Sequence, residues 1–150
     1  HYLWSFDCCN FCINIFYFTI LIMTKKERLN SLYKDNSLTK EDVYTDKRGF
    51  TIITRSGIEQ IQWNNKIDVR FEIISSQLGN IIIKATSFQD GERKCETYGS
   101  ASKDNCFQKF PVEIAEKRAL ARVIIKTMGL TNTLGKDEVD FQINKKTKAQ

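Results

Sequence analysis

The chain has 150 residues, enough for one domain with a modest core. Its 23 Lys+Arg against 18 Asp+Glu leave a formal charge of +5, which favours an anionic partner such as nucleic acid or a membrane surface. A single histidine, His1, leaves no basis for His-centred acid–base chemistry or a Cys/His zinc site. The cysteines Cys8, Cys9, Cys12, Cys95 and Cys106 do not form a disulfide framework, so the body reads as a reduced, cytoplasmic protein.

Residues 1–22 differ from the rest. They hold no Lys or Arg, so they lack the basic region of a signal peptide. Their apolar run, Phe11 to Ile22, is shorter than the ~20 residues of a spanning helix. Met23 opens a polar stretch, and residues 1–22 are read as non-native sequence translated from upstream of a start at Met23. A hydrophobic anchor is the competing reading. On the first reading, removing this segment leaves fold and binding unchanged.

Residues 24–35 suggest a helical turn or two, and residues 37–49 a charged loop. Phe50 to Ile53 is a short extended run rich in β-branched residues. Ile58 and Ile61 recur at helical spacing, with Ser56 as the expected N-cap and Glu59 completing a capping box. Ile67, Val69, Phe71 and Ile73 then alternate with Asp68, Arg70 and Glu72, the pattern of a strand with one buried and one wet face. A second strand, Ile81 to Phe88, puts Ile81, Ile83 and Ala85 on one face. Asp90-Gly91 marks a tight turn into a third strand, Arg93 to Tyr98. Connections this short require antiparallel pairing. Residues 99–110 read as a polar loop.

The clearest helix spans 111–128. Pro111 suits the first helical position, Glu113 and Glu116 complement the positive end of the dipole, and Gly129 is placed to cap the far end. Ile114, Leu120, Ala121, Ile124, Ile125 and Met128 form its apolar side. Residues 136–150 are polar and charged and are expected to be a disordered tail. The predicted class is α+β: a short helix, a three-stranded antiparallel meander and one long C-terminal helix packed on it, in a domain over residues 23–135.

On that helix Arg118, Arg122 and Lys126 fall at i, i+4 and i+8, with Ala115 and Ala119 beside them. Small residues beside a cation row would let a phosphate backbone approach. Such a row equally suits a solvated face whose stems cover apolar surface. Lys84, Arg93 and Lys94 add positive charge on the strands, and Tyr98 and Trp63 are the candidate base-stacking aromatics. Phe107, Lys103 and Lys109 continue the interleaving in the loop. No Gly-rich phosphate loop, nucleophile elbow or metal-binding carboxylate pattern is present. The reading is therefore a non-enzymatic binder with no cofactor, metal or small-molecule substrate.

Tyr98-Gly99-Ser100-Ala101-Ser102, followed by Ala115-Glu116-Lys117-Arg118-Ala119-Leu120, Gly129 and Leu134-Gly135, resembles the single-strand annealing superfamily of recombination proteins. That superfamily includes phage Erf-type and RecT-type proteins and the eukaryotic annealing mediators. The resemblance covers about residues 50–135 and rests on the ordered set of motifs. It implies single-stranded DNA binding, with DNA favoured over RNA, in phage-type recombination, annealing, repair or replication. It also implies a positive groove between sheet and helix and a homo-oligomer of ring or filament form, although so short a chain leaves little room for ring-closing elements. Ser100 and Ser102 would donate to phosphate beside the Gly99 backbone, as polar side chains and main-chain groups commonly do. A non-catalytic protein–protein adaptor with an incidental basic face is the alternative.

Overall fold

The computed structural model describes residues 24–77, 79–130 and 132–139. The readings made for residues 1–22 and for the tail beyond 139 fall outside them. In chain order the elements are α1 (Lys25–Asp35), β1 (Val43–Thr45), β2 (Thr51–Ile53), α2 (Arg55–Asn64), β3 (Asp68–Gln77), β4 (Asn80–Gln89), β5 (Glu92–Ser102), α3 (Pro111–Thr127) and β6 (Thr133–Gly135). Residues 136–139 add a helical turn. Among the described residues no helix is long and apolar enough to cross a membrane.

Thr24 and Glu27 form a reciprocal capping box, and α1 is a full helix rather than the expected turn or two. Asn36 ties it to α2. Its side-chain amide donates to the Leu32 carbonyl at 2.9 Å, and its Oδ1 accepts from Asn65 Nδ2 at 2.8 Å. The N-cap of α2 is Thr54, whose hydroxyl accepts from the Gly57 N–H at 3.3 Å. The expected Ser56 cap is thus corrected. Helical geometry begins at Arg55, which leaves Ser56 inside the first turn and frees Glu59 to pair with Arg55 at 2.9 Å.

A small sheet missed in the sequence lies at one end. β1 runs antiparallel to β2, within the stretch expected to be a loop, and β2 pairs parallel with β6. Three-residue strands leave too short a pattern to read, and the β2–β6 pairing joins residues some eighty positions apart.

The meander is as predicted in order and sense: β3–β4–β5, antiparallel throughout. Asp90 and Gly91 both take positive φ, 52° and 78°, as a primed hairpin turn requires. β5 is longer than expected, because residues 99–102 continue it in place of a Gly/Ser turn. α3 matches its predicted span to within a residue. It ends as a Schellman motif, with Gly129 at φ 68° and the Leu130 N–H on the Ile125 carbonyl.

The core lies between α3 and the inner face of β4 and β5, with Ile58 and Ile61 of α2 closing one side. Ile81, Ile83 and Ala85 share one face as predicted, and that face is the buried one. Two expectations about burial are corrected. The buried face of α3 is wider than its apolar residues, because Ala115 and Ala119 are fully enclosed. The reason is Gly99: a Cβ there would stand 2.3 Å from the Ala115 carbonyl oxygen and 2.4 Å from the Ala119 nitrogen. The two alanines admit strand β5, not a phosphate backbone. β3, in turn, has no well-buried face: Phe71 is 41%, Ile73 61% and Ile74 48% exposed. α3 lies across β5 and β4 and leaves β3 at the margin.

The chain also stays packed past residue 135. Val139 is buried, so the first residues of the expected tail belong to the domain.

Candidate nucleic-acid interface

The cation row on α3 does not lie on one solvent face. Arg118 is only 9% exposed and is held from several sides. Its Nη1 donates to the Ser100 carbonyl at 2.7 Å and to Asn105 Oδ1 at 3.1 Å, its Nη2 to the Asn105 carbonyl at 2.7 Å, and its Nε to the Asp137 carbonyl at 3.2 Å. The expected phosphate contact is corrected here. Arg118 closes the seam where β5, the loop after it and the C-terminal turn converge. Its neighbours at i−3 and i+1, Ala115 and Ala119, face the same seam.

Arg122 and Lys126, one and two turns on, emerge from that seam. The Arg122 side chain is 56% exposed and its Nε stands 3.5 Å from Glu138 Oε1. Burial pushes the Glu138 carboxyl above the ordinary glutamate range, and the Arg122 charge opposes that rise. Lys126 is exposed, and its Nζ donates to the Glu96 carbonyl on β5 at 3.3 Å. Between α3 and the outer edge of β5 these residues border an open groove of about 720 Å³, with Tyr98, Thr97 and Leu134 among its other walls. The groove brings together three of the predicted residues: Arg122, Lys126 and Tyr98. Tyr98 is half exposed and donates its hydroxyl hydrogen to Glu96 Oε1 at 3.2 Å.

The strand cations are partnered. Lys84 forms a close ion pair with Glu72 on the open face of the sheet, and that contact holds its ammonium above the ordinary lysine range. Arg93 meets Glu96 at 2.5 Å, and its guanidinium holds the Glu96 carboxyl below the usual range. Lys94 meets Glu92 at 3.1 Å. Lys84 is directly across from Tyr98 on the open face of the sheet. Ser100 and Ser102 lie within β5, and both are engaged by Asn105: the Ser100 hydroxyl accepts from Asn105 Nδ2 at 3.4 Å and the Ser102 N–H donates to Asn105 Oδ1 at 2.7 Å. Trp63 stands elsewhere. It is almost fully exposed and lines a different hollow, with Glu59, Gln62, Lys66 and Ile67.

Sequence reasoning missed Glu138, Thr133 and Leu134 as groove residues, because they follow the long helix in a stretch with little periodicity. It also missed Asn105 as the residue that fixes the loop. Among the described residues no His/Cys/Asp/Glu group has the arrangement of a metal site. The chain matches no protein-family model, no curated protein and no solved structure.

Proposed function

We propose that this protein binds single-stranded nucleic acid, DNA in preference to RNA, through its backbone and with little regard to sequence, as a non-enzymatic component of cytoplasmic phage-type recombination, annealing or replication. The observation that carries this reading is the groove along β5, where two cations on successive turns of α3, Arg122 and Lys126, flank the half-exposed ring of Tyr98. Cations one helical turn apart suit successive phosphates, and an exposed aromatic ring offers any base a stacking surface. The resemblance of the Tyr98–Ser102 and Ala115–Leu120 motifs to the single-strand annealing superfamily supports the same reading.

An adaptor role is the second reading. It is favoured by the ion pairs that offset Lys84, Arg93 and Lys94, which leave the meander with little free positive charge. Salt dependence separates the two. Each phosphate contact to a single strand contributes about −0.7 to the slope of log K against log salt. Arg122→Ala with Lys126→Ala is therefore expected to flatten the slope for a thymine oligonucleotide by roughly 1.4. Arg118 is left intact in this test because its guanidinium holds the seam. A parent chain that shows no salt-dependent binding favours the adaptor. A double variant with the parent's slope removes the groove from the interface.

A further inference from the structure

β3 is the outer strand of the meander, and among the described residues no strand pairs with its free edge. A ten-residue edge that also exposes Phe71, Ile73 and Ile74 is an unusual combination. Proteins generally blunt such edges, because unpaired N–H and C=O groups beside apolar side chains are a template for another strand. Here the edge has no proline, its charged residues lie on the opposite face from Phe71 and Ile73, and its register irregularity, between Ile73 and Ser75, follows the regular stretch Asp68 to Ile73. Asp68, Arg70 and Glu72 share the open face, with Arg70 beside Asp68 at 3.5 Å and stacked over the Phe88 ring at 4.5 Å.

We propose that β3 is an interface with a second copy of this chain, paired antiparallel edge to edge about a two-fold axis at Phe71. The sequence of the strand selects both the occupant and the register. In this register Phe71 faces the partner's Phe71. Val69 and Ile73 face Ile73 and Val69 of the second copy, and Arg70 and Glu72 face Glu72 and Arg70. The apolar row is then continuous across the joined sheets, and both cross-strand charge pairs are opposite in sign, the favourable case for directly facing residues. Centring the pair on Arg70 sets Arg70 against Arg70 and Asp68 against Glu72. Centring it on Glu72 sets Glu72 against Glu72. A shift by a single residue turns the apolar row against the charged one. A self-complementary edge of this kind closes on itself and stops at two copies. The groove along β5 lies at the other margin of the sheet and stays open in the pair.

Sedimentation of the full chain over a concentration series tests this, with thermal unfolding to verify that each variant is folded. The parent is expected to be a dimer. Arg70→Glu and Glu72→Arg, each alone, set like charges face to face and are expected to shift the protein to monomer. The double variant Arg70→Glu with Glu72→Arg restores opposite pairs and is expected to return the dimer, and Phe71→Lys abolishes it. A monomeric parent overturns the proposal and leaves the strip to another occupant, such as the apolar segment Phe11 to Ile22. Larger rings formed by the parent, or a double variant no better than the singles, also overturn it. Association is read by sedimentation and oligonucleotide binding by the salt slope of the parent chain, so this proposal and the nucleic-acid reading can fail separately.

Discussion

β3 and β5 are the two margins of one antiparallel meander, built from similar alternating sequence, and they end in opposite surroundings. On β5 the backbone at Gly99 approaches the α3 backbone so closely that a Cβ would overlap it, and Ala101 is fully buried. On β3 the corresponding apolar row is largely open. The difference comes from where the helix lies. A single helix is about 10–12 Å wide with its side chains, while strands are ~4.8 Å apart, so one helix covers about two strands. Three glycine and alanine positions, Gly99, Ala115 and Ala119, draw α3 toward β5, and β3 is the strand left over. Alternation in a sequence marks which residues share a face. It carries no information on whether anything covers that face.

The sharpest way to break this comparison is at Gly99. Gly99→Ala forces strand and helix apart, since the atoms it meets are backbone and cannot swing aside. A loss of about 3 kcal/mol or more is expected, near the upper end for overpacking, and it should appear as a fall in thermal midpoint of roughly 10 °C. A Gly99→Ala protein that melts with the parent would show that the seam is looser than described and that helix placement has another cause.

The next contrast sets two paired strands against each other on one face of the meander. Ile83 on β4 is buried, while its directly paired neighbour Ile73 on β3 is 61% exposed. Ile83→Ala is expected to cost about 2–4 kcal/mol by transfer and cavity terms. Ile73→Ala, measured at concentrations too low for association, should cost under about 1 kcal/mol, as exposed positions do. Equal losses in denaturant titrations would mean that Ile73 is covered within the single chain.

The parts of the fold that were legible in the sequence are those with many residues in phase. The α3 frame from Pro111 to Gly129, the Asp90-Gly91 turn and the Ile81–Ile83–Ala85 face each rest on local chemistry, and the structure retains them. What was not legible depended on partners distant in sequence. Gly99 looked like a turn residue because glycine is common in turns, but its role is close approach to a helix that begins twelve positions later. Arg118 aligned with Arg122 and Lys126 on a helical wheel, yet only the convergence of Ser100, Asn105 and Asp137 turns it inward. Arg122, Lys126 and Tyr98 were identifiable from residue type and spacing. Strand β6 and the C-terminal turn, which complete their groove, were not.

The smallest expected effect lies in the groove itself, at Glu138. Burial raises its carboxyl pKa in the folded chain, with the nearby Arg122 charge opposing the rise. A folded pKa above the unfolded value means that the native state holds the proton more tightly. The resulting stability is fully present below the unfolded pKa, about 4.3 for an ordinary glutamate, and is lost as pH rises through the folded value. Glu138→Gln cannot ionise, so it should remove this contribution. Relative to the parent, this variant should therefore be more stable at neutral pH than at pH values below the glutamate range. Arg122→Ala should act in the opposite sense, because it leaves the Glu138 carboxylate without the charge that opposes burial, and the parent's decline with rising pH should steepen. Denaturant titrations across the acid range check both. If Glu138→Gln keeps the parent's pH profile, the carboxylate is as well solvated in the fold as in the unfolded chain, and Arg122 is then free to turn toward a ligand without leaving a buried charge behind.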